Sequence, residues 1–179
     1  MRLGVISDSH GELDNLRQAA SMLINEWKVD KIVHLGDECE DTVVFQEYPP
    51  QEIIQVHGVY CSHYQDPSII NRPLINIEGH RCLFTHTDKP HRNDLPEDPD
   101  PQELARQKKV DIIFYGHSHI PEIRQQDGII WLNPGHLKNE DKKGFAPSFA
   151  VAELLERKAT LKLIKLHTGE ILEQITSPV

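Results

Sequence analysis

The sequence predicts an α/β protein with a mixed sheet, or two sheets packed together, flanked by helices. Three observations carry this. Short, almost wholly apolar runs recur along the chain, as expected of strands buried on both faces. An amphipathic helix separates the first two runs, making a βαβ unit. The C-terminal part changes to partly alternating patterns, the mark of antiparallel strands.

The first run is Leu3 to Ile6, followed by SDSHG. In the next stretch Leu13, Leu16, Ala20, Leu23, Ile24 and Trp27 fall at helical spacing, giving one apolar face. The second run, Ile32 to Leu35, leads into GDECED, and a short helix is expected over 41–47. Ile53 to Val56 leads into HGVYCSH, Cys82 to Phe84 into THTDKPH, Ile112 to Tyr115 into GHSH, and Ile129 to Leu132 into NPGH. A third helix is expected over 101–109, with Pro101 in its first turn. The segment 88–101 is rich in Pro and Asp and reads as a long mobile loop. Residues 148–156 and 159–167 read as antiparallel strands around a turn near Arg157, and HTGEIL starts a further hairpin arm.

The chain has 179 residues, enough for one domain over 1–179 with a sizeable core. Its 38% hydrophobic and 26% charged content suits a globular protein in water. A net charge of −9 repels phosphate backbones and argues against bulk nucleic-acid binding. The N-terminus lacks the pattern of a signal peptide, and no apolar stretch is long enough for a membrane span. Cys39, Cys61 and Cys82 form no Cys-x-x-Cys pair, which suits a reducing cytoplasm.

The strongest functional signal is positional. Apolar runs end one after another in residues able to hold a metal: Asp8 and His10, then Asp37, then His86, then His117 and His119. Carboxyl ends of parallel strands form the ligand-binding edge of open α/β sheets. Each residue alone has a plainer reading: Asp-x-His as a helix cap, Gly-Asp as a turn, His86 as a hydrogen-bonded histidine. Their ordered recurrence is harder to obtain by chance. Two carboxylates and four imidazoles suit Mn²⁺, Fe, Zn²⁺ or Ni²⁺, and exceed what one catalytic ion takes, so two divalent metal ions are expected.

Asp8-Ser9-His10, Gly36-Asp37, His86 and Gly116-His117-Ser118-His119 together resemble the calcineurin-like metallophosphoesterase superfamily, in particular its small phosphodiesterase branch, which also includes the retromer scaffold subunit. Asn133 to Gly135 is similar to a loop of that branch. The resemblance implies a four-layer αββα sandwich of two mixed sheets flanked by helices. It implies that Asp8, His10 and His119 hold one metal, that His86 and His117 hold the other, and that Asp37, also the catalytic position, bridges them. Mn²⁺ is the first choice of metal. The implied reaction is hydrolysis of a small phosphodiester or phosphomonoester by a metal-bridging hydroxide.

One position departs from the pattern. Where the family has Gly-Asn after the third strand, this chain has Gly58-Val59, and valine offers a metal neither lone pair nor charge. A water, or His57, Cys61 or His63, could fill the gap. The alternative is a catalytically weak or inactive scaffold on the same fold. The enzymatic reading is preferred because the six other ligand positions are kept. His86 is followed by Thr87-Asp88 in place of the family's Gly-His; Lys89, His91 and Arg92 beyond it either orient a substrate phosphate or sit in a solvated loop. His136 either approaches the site or faces solvent. A homo-oligomer through an exposed C-terminal hairpin edge is also open.

Overall fold

The computed structural model describes residues 1–178. Eleven strands form two sheets. The first contains β1 (Arg2–Ile6), β2 (Lys31–His34), β3 (Glu52–Gln55), β9 (Ser148–Leu155), β10 (Lys158–Lys165) and β11 (Ile171–Pro178), in the order β11-β10-β9-β1-β2-β3. Strands β1, β2 and β3 are parallel, β9 runs antiparallel to β1, and β10 and β11 continue as antiparallel hairpins. The second contains β4 (Leu74–Ile77), β5 (His80–Phe84), β6 (Ile112–Phe114), β7 (Glu122–Gln126) and β8 (Ile129–Asn133), ordered β4-β5-β6-β8-β7, with β5, β6 and β8 parallel.

The continuous apolar runs are explained by burial on both faces. Leu3, Val5 and Val33 point into a core shared with Phe84, Phe114 and Leu132 of the second sheet. Ile6 and Ile32 point the other way, onto Leu16, Ala20 and Leu23 of helix α1 (Leu13–Ser21) and its wider final turn, Met22–Glu26. On the far side, Leu83, Ile113 and Trp131 pack against Leu104 and Ala105 of α2 (Pro101–Arg106). The order of layers is therefore helix, sheet, sheet, helix, the expected sandwich. Phe84 and Phe114 stack in the middle with ring centroids 5.0 Å apart. Each fully buried large apolar side chain of this kind contributes about 1.5–3 kcal/mol.

The short helix expected over 41–47 is present as a 3-10 helix, Cys39–Glu47. Two other expectations need correction. The helix expected over 101–109 stops at Arg106; its start is sharp because the Asp100 carboxylate accepts from the amides of Gln102 and Glu103, with Pro101 at the first position. The segment 88–101 is irregular, as expected, but it is tied down. The buried Arg72 guanidinium donates to the Asp94 carboxylate at 2.8 Å and to the Pro99 carbonyl at 2.8 Å. Asp94 also accepts from the Tyr64 hydroxyl, and Asp98 accepts from the Leu95 amide.

Candidate metal centre

All six expected side chains meet at the seam between the sheets. Asp8, His10 and Asp37 leave the carboxyl ends of β1 and β2 in one sheet; His86, His117 and His119 leave those of β5 and β6 in the other. They make two groups whose candidate donor atoms lie within 4.8 Å of one another: Asp8, His10, Asp37 and His119, and Asp37, His86 and His117. Asp37 belongs to both, by different oxygens. Its Oδ2 lies 3.5 Å from His10 Nε2 and its Oδ1 lies 3.3 Å from His86 Nε2. In the first group His10 Nε2 and His119 Nε2 face each other at 3.1 Å, and Asp8 Oδ1 is 3.4 Å from His119 Nε2. In the second, His86 Nε2 and His117 Nδ1 are 3.1 Å apart.

The backbone that presents them is strained. Asp8, His10, Asp37, His117 and His119 all have positive φ, between 48° and 64°. Non-glycine residues seldom adopt this region, and it costs of order 1–3 kcal/mol where neighbouring structure enforces it. Strand alternation does not set the directions of His117 and His119. Strand β6 ends at Phe114, and the two left-handed residues aim the rings. Two glycines allow the close approach. A Cβ on Gly58 would stand 2.1 Å from Asp37 Oδ1, and one on Gly116 would stand 2.0 Å from Ser7 Oγ. Asn133 of the NPG segment braces the turn, donating to the Gly116 carbonyl and to Ser118 Oγ, both at 2.9 Å.

Outer partners fix which atom each ring presents. His86 Nδ1 is held by the Leu35 carbonyl at 2.8 Å, which leaves Nε2 for a ligand. His119 Nδ1 is held by Asp141 Oδ1 at 2.6 Å, a carboxylate–histidine pair of the kind found behind metal-binding imidazoles. No motif in the sequence singled out Asp141; it arrives on a long connection between β8 and β9. Burial alone would raise the Asp8 carboxyl, but the His119 hydrogen bond, the His86 charge and the Ser7 hydroxyl outweigh it and hold Asp8 well below the usual carboxylate range. The hydrogen bond to Asp8, opposed by burial and reinforced by Asp141, raises His119 to about 8. Burial, with the neighbouring His86, lowers His117 and favours its neutral form.

A divalent cation fits this arrangement. Asp8 Oδ1 is buried and has no well-formed hydrogen bond, its nearest partner being His119 Nε2 at 3.4 Å, a costly state that a cation would relieve. The other candidates fare less well. His57, Cys61 and His63 join neither group. The Val59 side chain is buried, and its carbonyl accepts from Asn93 Nδ2 at 2.9 Å. His136 is fully buried with Nε2 at the Phe145 carbonyl, which removes the solvent-facing reading; its ring centroid lies 5.4 Å from that of His119. Beside the first group an open cleft of about 340 Å³ is lined by His10, Asp37, Glu38, Glu40, Tyr60, Cys61 and Ser62.

Known proteins are similar to this chain in sequence or in architecture. Phosphodiesterase MJ0936 of Methanocaldococcus jannaschii is 26% identical over 147 residues, covering 75% of this chain and 83% of that one. The probable metallophosphoesterase YsnB of Bacillus subtilis is 25% identical over 175 residues, covering 96% and 95%. Among solved structures, the Escherichia coli phosphoesterase YfcE superposes with a TM-score of 0.71 at 22% identity, covering 98% of each chain. Vps29 of Chaetomium thermophilum gives 0.70 at 18% identity, covering 99% of this chain and 98% of that one. These two likenesses establish the fold. The family model of the calcineurin-like phosphoesterase superfamily domain matches residues 1–157, the stretch that carries every strand end at the seam, and the chain belongs to that superfamily.

Proposed function

We propose that this chain is a phosphoesterase working with two divalent ions, on a small phosphodiester or phosphomonoester. The observation that carries the reading is the double engagement of Asp37: one oxygen faces the His10 group, the other the His86 group. Asp8, His10 and His119 would hold one ion, His86 and His117 the other, and Asp37 would link them. Bound ions would supply Lewis acidity toward the phosphoryl oxygens and lower the pKa of a water at the site.

The protein's own residues do the rest. Leu35 and Asp141 keep His86 and His119 in the tautomers that present Nε2. Ser7 Oγ and the His117 amide donate to Asp8 Oδ2 at 2.5 and 2.9 Å, so Oδ1 is the oxygen turned to the site. Glu38 and Glu40 line the adjoining cleft, and their charge disfavours polyanionic substrates such as nucleic-acid strands. A substrate with one phosphate and an uncharged or cationic remainder fits better. Three cysteines without a Cys-x-x-Cys pair suit a reducing cytoplasm, and no helix among the described residues is long and apolar enough to cross a membrane. The chain is read as a single domain over 1–179; the outer edge of β11 offers a surface for pairing two copies.

A scaffold is the second reading. It is favoured by the buried Val59, which withholds a ligand from the second group, and by the shared fold with Vps29. Two measurements separate the readings. Elemental analysis after loading with Mn²⁺ should find two ions per chain, and the loaded protein should hydrolyse bis(p-nitrophenyl) phosphate. Fewer than two ions together with no turnover in Mn²⁺, Fe²⁺, Ni²⁺ or Zn²⁺ would leave the scaffold.

A further inference from the structure

The second group has only three protein donors, and the loop that would normally add to it turns Val59 into the core. Next to it stand two aromatic side chains with no place in the mechanism so far. The His91 ring centroid is 6.3 Å from that of His117, Tyr60 is 6.4 Å from His117, and Tyr60 and His91 pack edge to face at 5.5 Å. The three rings form a triangle with the candidate ligand His117 at one corner.

The spacing indicates what His91 could touch. Rings whose nitrogens converge on a common point, His86 with His117 and His10 with His119, have centroids 4.9 and 5.0 Å apart. His91 stands more than 1 Å farther from His117 than this, and it joins neither donor group. Its hydrogen bonding agrees. His91 Nδ1 accepts from the Asn93 amide at 3.2 Å, so a neutral ring carries its proton on Nε2. Such a nitrogen is a donor, not a metal ligand. The ring is also well supported. The His91 amide donates to Asp94 at 2.6 Å, Asp94 is fixed by the buried Arg72, and Asn93 Nδ2 ties the same loop to the Val59 carbonyl. The loop therefore sets His91 against the segment carrying Tyr60.

We propose that His91 Nε2 is a substrate-contacting donor that holds a phosphoryl oxygen at the open face of the second group, with the Tyr60 ring packed on it as a positioning residue. The proposal rests on the phosphoesterase reading, and it assigns to the loop after β5 a contact that the Val59 segment does not provide.

The test is direct binding of inorganic phosphate to Mn²⁺-loaded protein by titration calorimetry, with metal content measured on each sample. His91→Ala should weaken phosphate about tenfold, the scale of one hydrogen bond to a charged group. Metal content should match the unaltered protein. His91→Gln, which keeps an N–H donor, should recover part of the loss, which a merely structural role would not predict. Glu97→Gln, an exposed charge on the same loop with no place near the site, should stay within twofold and so exclude a general effect of loop charge. In bis(p-nitrophenyl) phosphate hydrolysis, KM should rise in His91→Ala. Phosphate affinity in His91→Ala within twofold of the unaltered protein overturns the proposal. So does an unaltered, metal-loaded protein that binds no phosphate. Turnover that persists while phosphate affinity ignores His91 leaves the phosphoesterase reading standing and removes this contact alone.

Discussion

Removing Asp141 tests how the first group is built, because two effects of opposite sign act on one ring. Asp141 accepts from His119 Nδ1 at 2.6 Å and so aims Nε2 at the site. Loss of such an outer partner weakens metal binding about 10- to 100-fold. Asp141 also helps raise His119 to about 8, although the hydrogen bond to Asp8 contributes more. A metal must displace that proton. At pH 6.5 a histidine with a pKa near 8 is neutral in only about one molecule in thirty, so proton competition weakens the metal about thirtyfold there and little above pH 8.5. Asp141→Ala removes the orienting partner at every pH but also relieves part of the competition at low pH. The expected result is a 10- to 100-fold loss of Mn²⁺ affinity at pH 8.5 and a smaller loss at pH 6.5, read by competition with a fluorescent chelator. Equal affinities at pH 8.5, or a deficit that grows as pH falls, would refute this account of the pair.

Other predictions follow from the same geometry. Asp37→Ala should drop metal content below two ions per chain and cut turnover more than about a hundredfold, beyond the usual cost of an outer partner; full activity would end the shared-carboxylate reading. Val59→Asn buries an amide where a valine is now sequestered, so urea unfolding in chelator should show a loss of about 1–3 kcal/mol. Added Mn²⁺ should recover part of that loss, since an amide reaching the second group would gain a partner; an equal loss with and without metal would keep the side chain in the core. Phe84→Ala removes a ring that stacks on Phe114 of the neighbouring strand and fills the core facing the first sheet, and should cost about 3–5 kcal/mol by the same measurement. Stability of the metal-free protein should peak near pH 6.5. The raised pKa of His119 contributes stability that is present below its unfolded value and lost as pH rises through about 8. His34, which burial lowers to about 4, contributes stability that is lost as pH falls from its unfolded value toward 4. Urea midpoints from pH 4.5 to 8.5 in chelator should trace both limbs, and a monotonic profile would contradict the assignment.

Much of the fold was legible because its central strands are buried on both faces, and such strands announce themselves as unbroken apolar runs. Strands β4 and β7 were missed for the converse reason. They lie at the two edges of the second sheet, where half their side chains meet water, and IRQQ carries little apolar signal. Their turns did hold a cue. Glu78-Gly79 and Asp127-Gly128 both have paired positive φ, and Asp-Gly between two candidate strands is a strong hairpin signal. In the site, the six side chains were readable because each follows a recognisable strand end. Asp141 was not, since an acidic residue in NEDKK looks like any solvated loop until the chain folds it against His119. The Pro- and Asp-rich segment was misread as mobile because its anchor, Arg72, lies far upstream, and sequence composition does not reveal a buried guanidinium partner.

The seam location of the site has a mechanical consequence. Half of the side chains ride on one sheet and half on the other, and Asp37 is the strut that crosses between them. If two ions bind as proposed, their separation would be set by how the sheets sit on each other, through the packing of Phe84, Phe114 and Leu132 of one sheet against Leu3, Val5 and Val33 of the other, and not by any single loop. Repacking that interior would act like turning the screw of a vice whose jaws hold the site: it would tune the gap across which a phosphate is gripped without replacing any residue that touches it.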